Sequence, residues 1–382
     1  MLLFIGHVCR VAIMSCGFVA AFLALAEASP YSDFNSGLAL RGRDDDQAIQ
    51  YLTKALADPG LLAAFRSVAL RSRALAYERQ KKSDLALADY SASLALAPDY
   101  DAYIRRGFLL FQRERFDAAL GDFTAAHAVR PDLLEAPIMR ITLLASTERF
   151  DEALEQANEL IAIYAKEPHP YVVRAAIYRA KGDYERAMTD ASYAVSLDGD
   201  APDGYFAKAT IYEDQGKLDD ALDAIKDAIR KSRDAYSFDS LMKKGVILWE
   251  MKKYRDSESA FAAALKLRAS NAYAALWLLI AHRNAHDDSD VGDAFKGVDL
   301  VAWPAPVIAQ LRGNAPPDAV LAGARSAAAN RRGEMCDAEF YGAQWYLLNH
   351  DPELAMPLME AAGRDCEADT LERAPARLQT WK

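Results

Sequence analysis

The chain has 382 residues, of which 52% are apolar and 26% charged, with a net charge of −10. That balance belongs to a folded globular chain, and its sign excludes the basic stripe that nucleic-acid binding needs. No run of like charge exceeds Asp44–Asp46, which excludes an acidic tail. The Ala-rich composition, with modest Gly and Pro, favours helix over sheet.

Residues 1–26 read as an export signal. Arg10 precedes an apolar run from Val11 to Leu25, and Ala24-Leu25-Ala26 supplies the small-x-small pattern of a cleavage site. The run is short for a bilayer span, which takes about 20 apolar residues. An uncleaved anchor is the alternative, as is acylation of Cys16, although Met14 does not suit a lipoprotein box. A cleaved chain is soluble in the periplasm, and it meets a membrane only if the signal stays or Cys16 is lipidated. Beyond the signal only Cys336 and Cys366 are cysteines, an even number in a compartment where thiols oxidise.

Residues 27–66 form N-terminal helices with a shortened first repeat, carried by Gly37, Leu40, Ala48, Leu52 and Ala55. A regular array follows over 67–270. Its inner alanines, Ala86, Ala119, Ala153, Ala187 and Ala221, are separated by 33, 34, 34 and 34 residues. Around them recur Leu70, Ala74, Tyr77, Tyr90, Ser93 and Pro98, then Tyr103, Gly107, Leu110, Phe123, Ala126 and Pro131. Tyr171, Ala175 and Tyr178, Tyr205, Ala209 and Tyr212, and Leu241, Gly245 and Leu248 open the later units. The unit around Ile141, Leu144, Ala153 and Leu160 is looser and has Pro137 in its first turn. The period and pattern resemble the tetratricopeptide repeat (TPR), a helix–turn–helix unit of 34 residues. The resemblance implies an all-α solenoid of stacked antiparallel helix pairs.

Over 271–335 the repeat lapses into a divergent helical segment, and at 336–382 it returns as a C-terminal unit and tail. Glu339, Ala343, Tyr346, Ala355, Met359 and Ala362 take the repeat positions, with Glu339 where a bulky residue is usual. This last part, with the Trp303-Pro304 segment before it, resembles the NlpI-type periplasmic TPR proteins. That resemblance implies homodimers that tether cell-wall hydrolases and a processing protease. In the TPR register Cys336 and Cys366 start the first helix and end the second of one antiparallel pair. The two ends meet, so a structural disulfide is expected there.

Candidate chemistry is sparse. His282 and His286 stand one helical turn apart, a spacing that can hold zinc. Arg283 occupies the place where a metalloprotease helix carries Glu, so a polar helix end is the expectation and no metal site is assigned. Neither "DGDAPDG" nor "DDSDVGD" has the calcium-loop spacing, and no phosphate loop or dinucleotide fingerprint is present. No cofactor and no enzymatic activity are expected.

The TPR resemblance implies that first helices line a groove. In that register Arg71, Ile104, Phe108, Phe111, Ile138, Val172, Arg179, Phe206, Met242 and Trp249 face it, with Arg79 beside them. The Lys and Asn set with which some TPR domains clamp acidic tails is missing. An apolar helix or extended peptide suits this face instead, and self-occlusion by a homodimer or by the chain itself is the alternative. The expected function is a non-enzymatic periplasmic scaffold that binds envelope proteins. The alternative is an obligate assembly subunit of an envelope or secretion complex.

Overall fold

The structure is a computed structural model that describes residues 30–232, 235–285, 291–298, 303–326, 331–366, 370–372 and 375–376. The export signal, Cys9, Cys16 and His286 lie outside the described residues. Among the described residues the chain forms nineteen α-helices and a short 3-10 turn at Gly292–Phe295, with no strand. They divide into two compact units, Met1–Ala136 and Pro137–Lys382.

The first unit holds α1 (Pro30–Ala39), α2 (Asp45–Ala57), α3 (Ala63–Arg79), α4 (Ser83–Leu96), α5 (Tyr100–Phe111) and α6 (Phe116–Val129). Each odd helix pairs with the next even one, and each pair packs on its successor. Asp44 and Asp99 cap α2 and α5 by accepting from the Gln47 and Ala102 amides at 2.9 Å. Small residues let the helices of a pair approach closely. A Cβ on Gly37 would lie 2.6 Å from Leu52, and one on Gly107 would lie 2.7 Å from the Phe123 ring.

The second unit begins within α7 (Glu135–Ser146) and continues with α8 (Phe150–Ile163), α9 (Pro168–Ala180), α10 (Tyr184–Leu197), α11 (Pro202–Asp214), α12 (Leu218–Lys231), α13 (Ala235–Glu250) and α14 (Tyr254–Leu267). Pro137 falls in the first turn of α7, where its missing N–H costs nothing. The divergent segment supplies α15 (Ala272–Asn284), α16 (Ala305–Leu311) and α17 (Pro317–Ser326). The last pair is α18 (Arg331–Leu348) and α19 (Pro352–Asp365). Its α18 packs against both α16 and α17, and it also meets α15. The resulting core joins Phe261, Trp277, Phe340, Tyr341 and Met359, all essentially inaccessible. Trp277 is its hub, stacked on Phe261 at 5.6 Å and edge-on to Trp249 at 5.5 Å.

Two devices recur in register. In three repeats an arginine of the first helix grips an aspartate of the second, sixteen residues on, through Nε and Nη2. These pairs are Arg73–Asp89, Arg106–Asp122 and Arg174–Asp190, with nitrogen–oxygen distances of 2.6–2.8 Å and the aspartates buried. Arg140 meets Gln156 at the same place, 2.8 Å away. Desolvation offsets most of the gain from such pairs, so their contribution is register more than net stability.

The second device is the turn inside each pair, which passes through one residue at positive φ. That residue is Gly42, Gly182 or Gly216 in three repeats, but Lys81, Glu114, Glu148, Lys252 or His350 in the others, at φ 56–62°. The left-handed region costs an ordinary residue about 1–2 kcal/mol, while glycine adds about 0.4–1 kcal/mol of unfolded-chain entropy. Replacing Lys81, Glu114, Glu148 and Lys252 together by glycine should therefore raise the melting temperature by several degrees. A fall in a thermal scan would contradict this account of the turns.

Candidate functional site

The residues expected to line one face divide by unit. In the first unit Phe108 is 39% exposed and Ile104 is buried beside it on α5. Phe108 meets the buried Phe123 edge-on at 5.8 Å, and the half-buried Phe111 meets Phe116 at 5.9 Å. Each phenyl ring is thus propped by the second helix of its own pair while one side stays open. Phe65 on α3 is 40% exposed, set against Tyr31 at 5.1 Å and Phe34 at 5.4 Å.

The arginines are engaged in holding repeats together. Arg71 is ion-paired with Asp99, the residue that caps α5. Arg79 grips Asp45 at the start of α2, with Nε 2.7 Å from Oδ2. Arg179, on α9, reaches Asp214 on α11 at 2.9 Å. Each ties one repeat to the next, and a ligand would have to displace that carboxylate. Among the described residues the first unit therefore offers an aromatic face rather than a cationic one.

In the second unit Val172 and Phe206 are partly buried against their own cores, and Ile138 is buried. Met242 and Trp249 are core residues and do not line an open face. The reason is local: α13 is covered by α15, and the aromatic hub on α15 and α18 closes over it.

The same region holds polar groups that the repeat pattern does not announce. Lys243 on α13 donates to Glu213 on α11 at 2.7 Å, with both side chains nearly inaccessible. Burial pushes the Glu213 carboxyl up, and Lys243 pulls it back toward ionisation. Asp337 on α18 accepts from Tyr273 Oη and Trp303 Nε1, both at 2.7 Å. Burial, with the neighbouring Glu372 carboxylate, pushes Asp337 up to about 7. Glu372 accepts from Tyr341 Oη at 2.7 Å and Trp277 Nε1 at 3.3 Å. Glu339 is likewise pushed up to about 7, by burial and then by Asp365. Cys336 and Cys366 are joined by a disulfide, with Cα atoms 4.8 Å apart. Cys336 Sγ, Asp337 and Glu372 lie within 4.8 Å of one another, but a sulfur in a disulfide is no thiolate ligand. His282 is buried, with Nδ1 2.9 Å from Glu258, rather than standing at an exposed helix end.

Residues 173–237 and 242–293 match the family model of the tetratricopeptide repeat. No curated protein matches the chain. A crystallised tetratricopeptide-repeat protein from Parabacteroides merdae superposes with a TM-score of 0.53 at 17% identity, covering 66% of this chain and 98% of its own. A thermophilic TPR protein from Thermus thermophilus aligns with a TM-score of 0.42 at 20% identity, covering 48% and 98% respectively. Helix pairs at a 34-residue period, with small residues at their crossings, give the chain the fold of a tetratricopeptide-repeat solenoid, and the family's own sequence model matches two stretches of its second unit. Among the described residues no helix is long and apolar enough to cross a membrane.

Proposed function

We propose that this protein is a non-enzymatic periplasmic adaptor that binds one or more envelope proteins through the aromatic face of its first unit. The observation that carries the reading is Phe108. It sits open to solvent on a first helix, beside half-buried Phe111 and held by Phe123 beneath it. A large apolar ring fixed in an exposed position is suited to an apolar partner segment. Repeat arrays of this fold work as protein-interaction surfaces. The likeness of the C-terminal part to NlpI-type proteins supports cell-wall hydrolases or a processing protease as the partner class. Export is supported by residues 1–26 and by a cysteine pair that is useful only where thiols oxidise. N-terminal sequencing of the fractionated protein should begin at Glu27, and a chain that keeps Met1 would contradict cleavage.

Phe108→Glu tests the site. The ring is partly exposed, so the variant should keep its helical circular dichroism and lose no more than about 1 kcal/mol of stability. It should lose the partner that crosslinks to the wild-type protein in the native envelope. Undiminished crosslinking by the folded variant would sink the assignment.

A further inference from the structure

The early turns of α18 carry carboxyl groups where a helix pair normally buries apolar ones. Asp337 and Glu339 are each 6% exposed, on either side of the fully buried Ala338 and beside the disulfide at Cys336. Each meets a second carboxyl. Oxygens of Asp337 and Glu372 lie within 4.8 Å of each other. Asp337 accepts from Tyr273 and Trp303, and Glu372 from Tyr341 and Trp277, so all four donors are uncharged. Glu339 is hydrogen-bonded to Asp365 at the end of α19. A hydrogen bond between two carboxyl groups exists only while one of them keeps a proton.

The charged and titratable groups that face these pairs come from the elements packed around them. They are Tyr273 of α15, Lys243 of α13, Glu334 and Tyr341 of α18, Arg325 of α17 and Arg364 of α19. The helix α16 also packs on α18 and carries no titratable residue. The ammonium of Lys243 is already bonded to Glu213 of α11. Arg325 and Arg364 are exposed, so water screens their charge. Two carboxylates this close in a desolvated site repel strongly if both are ionised. Packing α18 against α15 and α19 is therefore favoured by a proton in each pair.

We propose that these two carboxyl pairs form a pH-operated lock on the second unit: closing α18 against α15 and α19 takes up protons, and acidification tightens it. The lock governs the cover over α13, since α15 and α18 are the elements that enclose Trp249. It lies in the unit that does not carry Phe108, so it and the adaptor reading can fail separately.

The direction follows from linkage. Burial and the neighbouring Glu372 push Asp337 up to about 7, and burial and Asp365 push Glu339 up to about 7. In the unfolded chain both return to the ordinary carboxylate range near about 4. Folding therefore takes up protons. Stability of the second unit is greatest below about pH 4 and falls as pH rises through about 7. Between those limits its unfolding constant grows by about tenfold per pH unit for each proton taken up.

Urea titrations of the full-length protein, followed by tryptophan fluorescence, test the lock. The unfolding constant extrapolated to zero urea should rise at least about a hundredfold from about pH 5 to about pH 7. The double variant Asp337→Asn/Glu339→Gln replaces each carboxyl by an amide that stays neutral at every pH. Each amide keeps a carbonyl acceptor and offers an N–H to the opposing carboxylate. Its rise over the same range should be at least about tenfold smaller than that of the wild type. A wild-type constant that stays flat or falls as pH rises would overturn the lock. So would a double variant that keeps the wild-type rise. A double variant that cannot fold would overturn it too, because an amide reproduces the shape of the protonated carboxyl that the lock requires.

Discussion

Lys243→Met should destabilise the second unit by about 3–5 kcal/mol, because it strands Glu213 in the interior without its cation. All five tryptophans lie in that unit, so tryptophan fluorescence in a urea titration reads its unfolding directly. The loss should depend on pH. Burial raises the Glu213 carboxyl above its unfolded value, so in the variant stability is greatest at low pH and falls as pH rises past the ordinary carboxylate range. Adding Glu213→Leu should restore most of what Lys243→Met removes, since an apolar pair of similar volume avoids desolvating two charges. A single variant that loses under about 1 kcal/mol, or a double variant as poor as the single, would show that the pair is not sealed as described.

Breaking the disulfide should cost almost as much. It closes a loop over a sequence separation of 30, which by chain entropy contributes roughly 3–4 kcal/mol. The effect concentrates on α18 and α19, the last helix pair of the array. The Cys336→Ala/Cys366→Ala variant should therefore unfold at lower denaturant, and Trp345 on α18 should report it. Thiol titration of the denatured, unreduced protein provides the complementary check. Two reactive thiols from Cys336 and Cys366 would contradict the bond.

The parts of this molecule that were legible in its sequence are those set by nearest neighbours. The spacing from Ala86 to Ala221 locates the helix pairs because each inner alanine sits where two helices cross, and no larger residue fits. Gly107 and Gly245 were legible for the same reason, each facing a phenyl ring that leaves no room for a Cβ. The Arg–Asp pairs sixteen residues apart were present in the sequence too, at Arg73, Arg106 and Arg174. Their signal is charge at a fixed offset across a turn, which hydrophobic periodicity does not register. Trp249 shows where local pattern stops informing. Its repeat position is the same as that of Phe111, yet α15 and α18 bury it, and their packing departs from the regular stack. Asp337 and Glu372 are 35 positions apart and meet through the return of the chain end, a long-range event that no repeat encodes. The engagement of the first-helix arginines was hidden for a related reason. Arg71 and Arg179 each find their carboxylate in the following repeat, which only stacking brings within reach.

Photocrosslinking in the native envelope, from a reactive residue placed at position 108 and separately at position 249, tests the central claim most directly. Position 108 should give a discrete adduct to an envelope protein, and that adduct should vanish when excess unlabelled protein competes. Position 249, enclosed by Trp277 and Tyr254, should give none in the folded protein. A silent position 108, or adducts of equal yield from both positions, would contradict an adaptor that works through the aromatic face of its first unit.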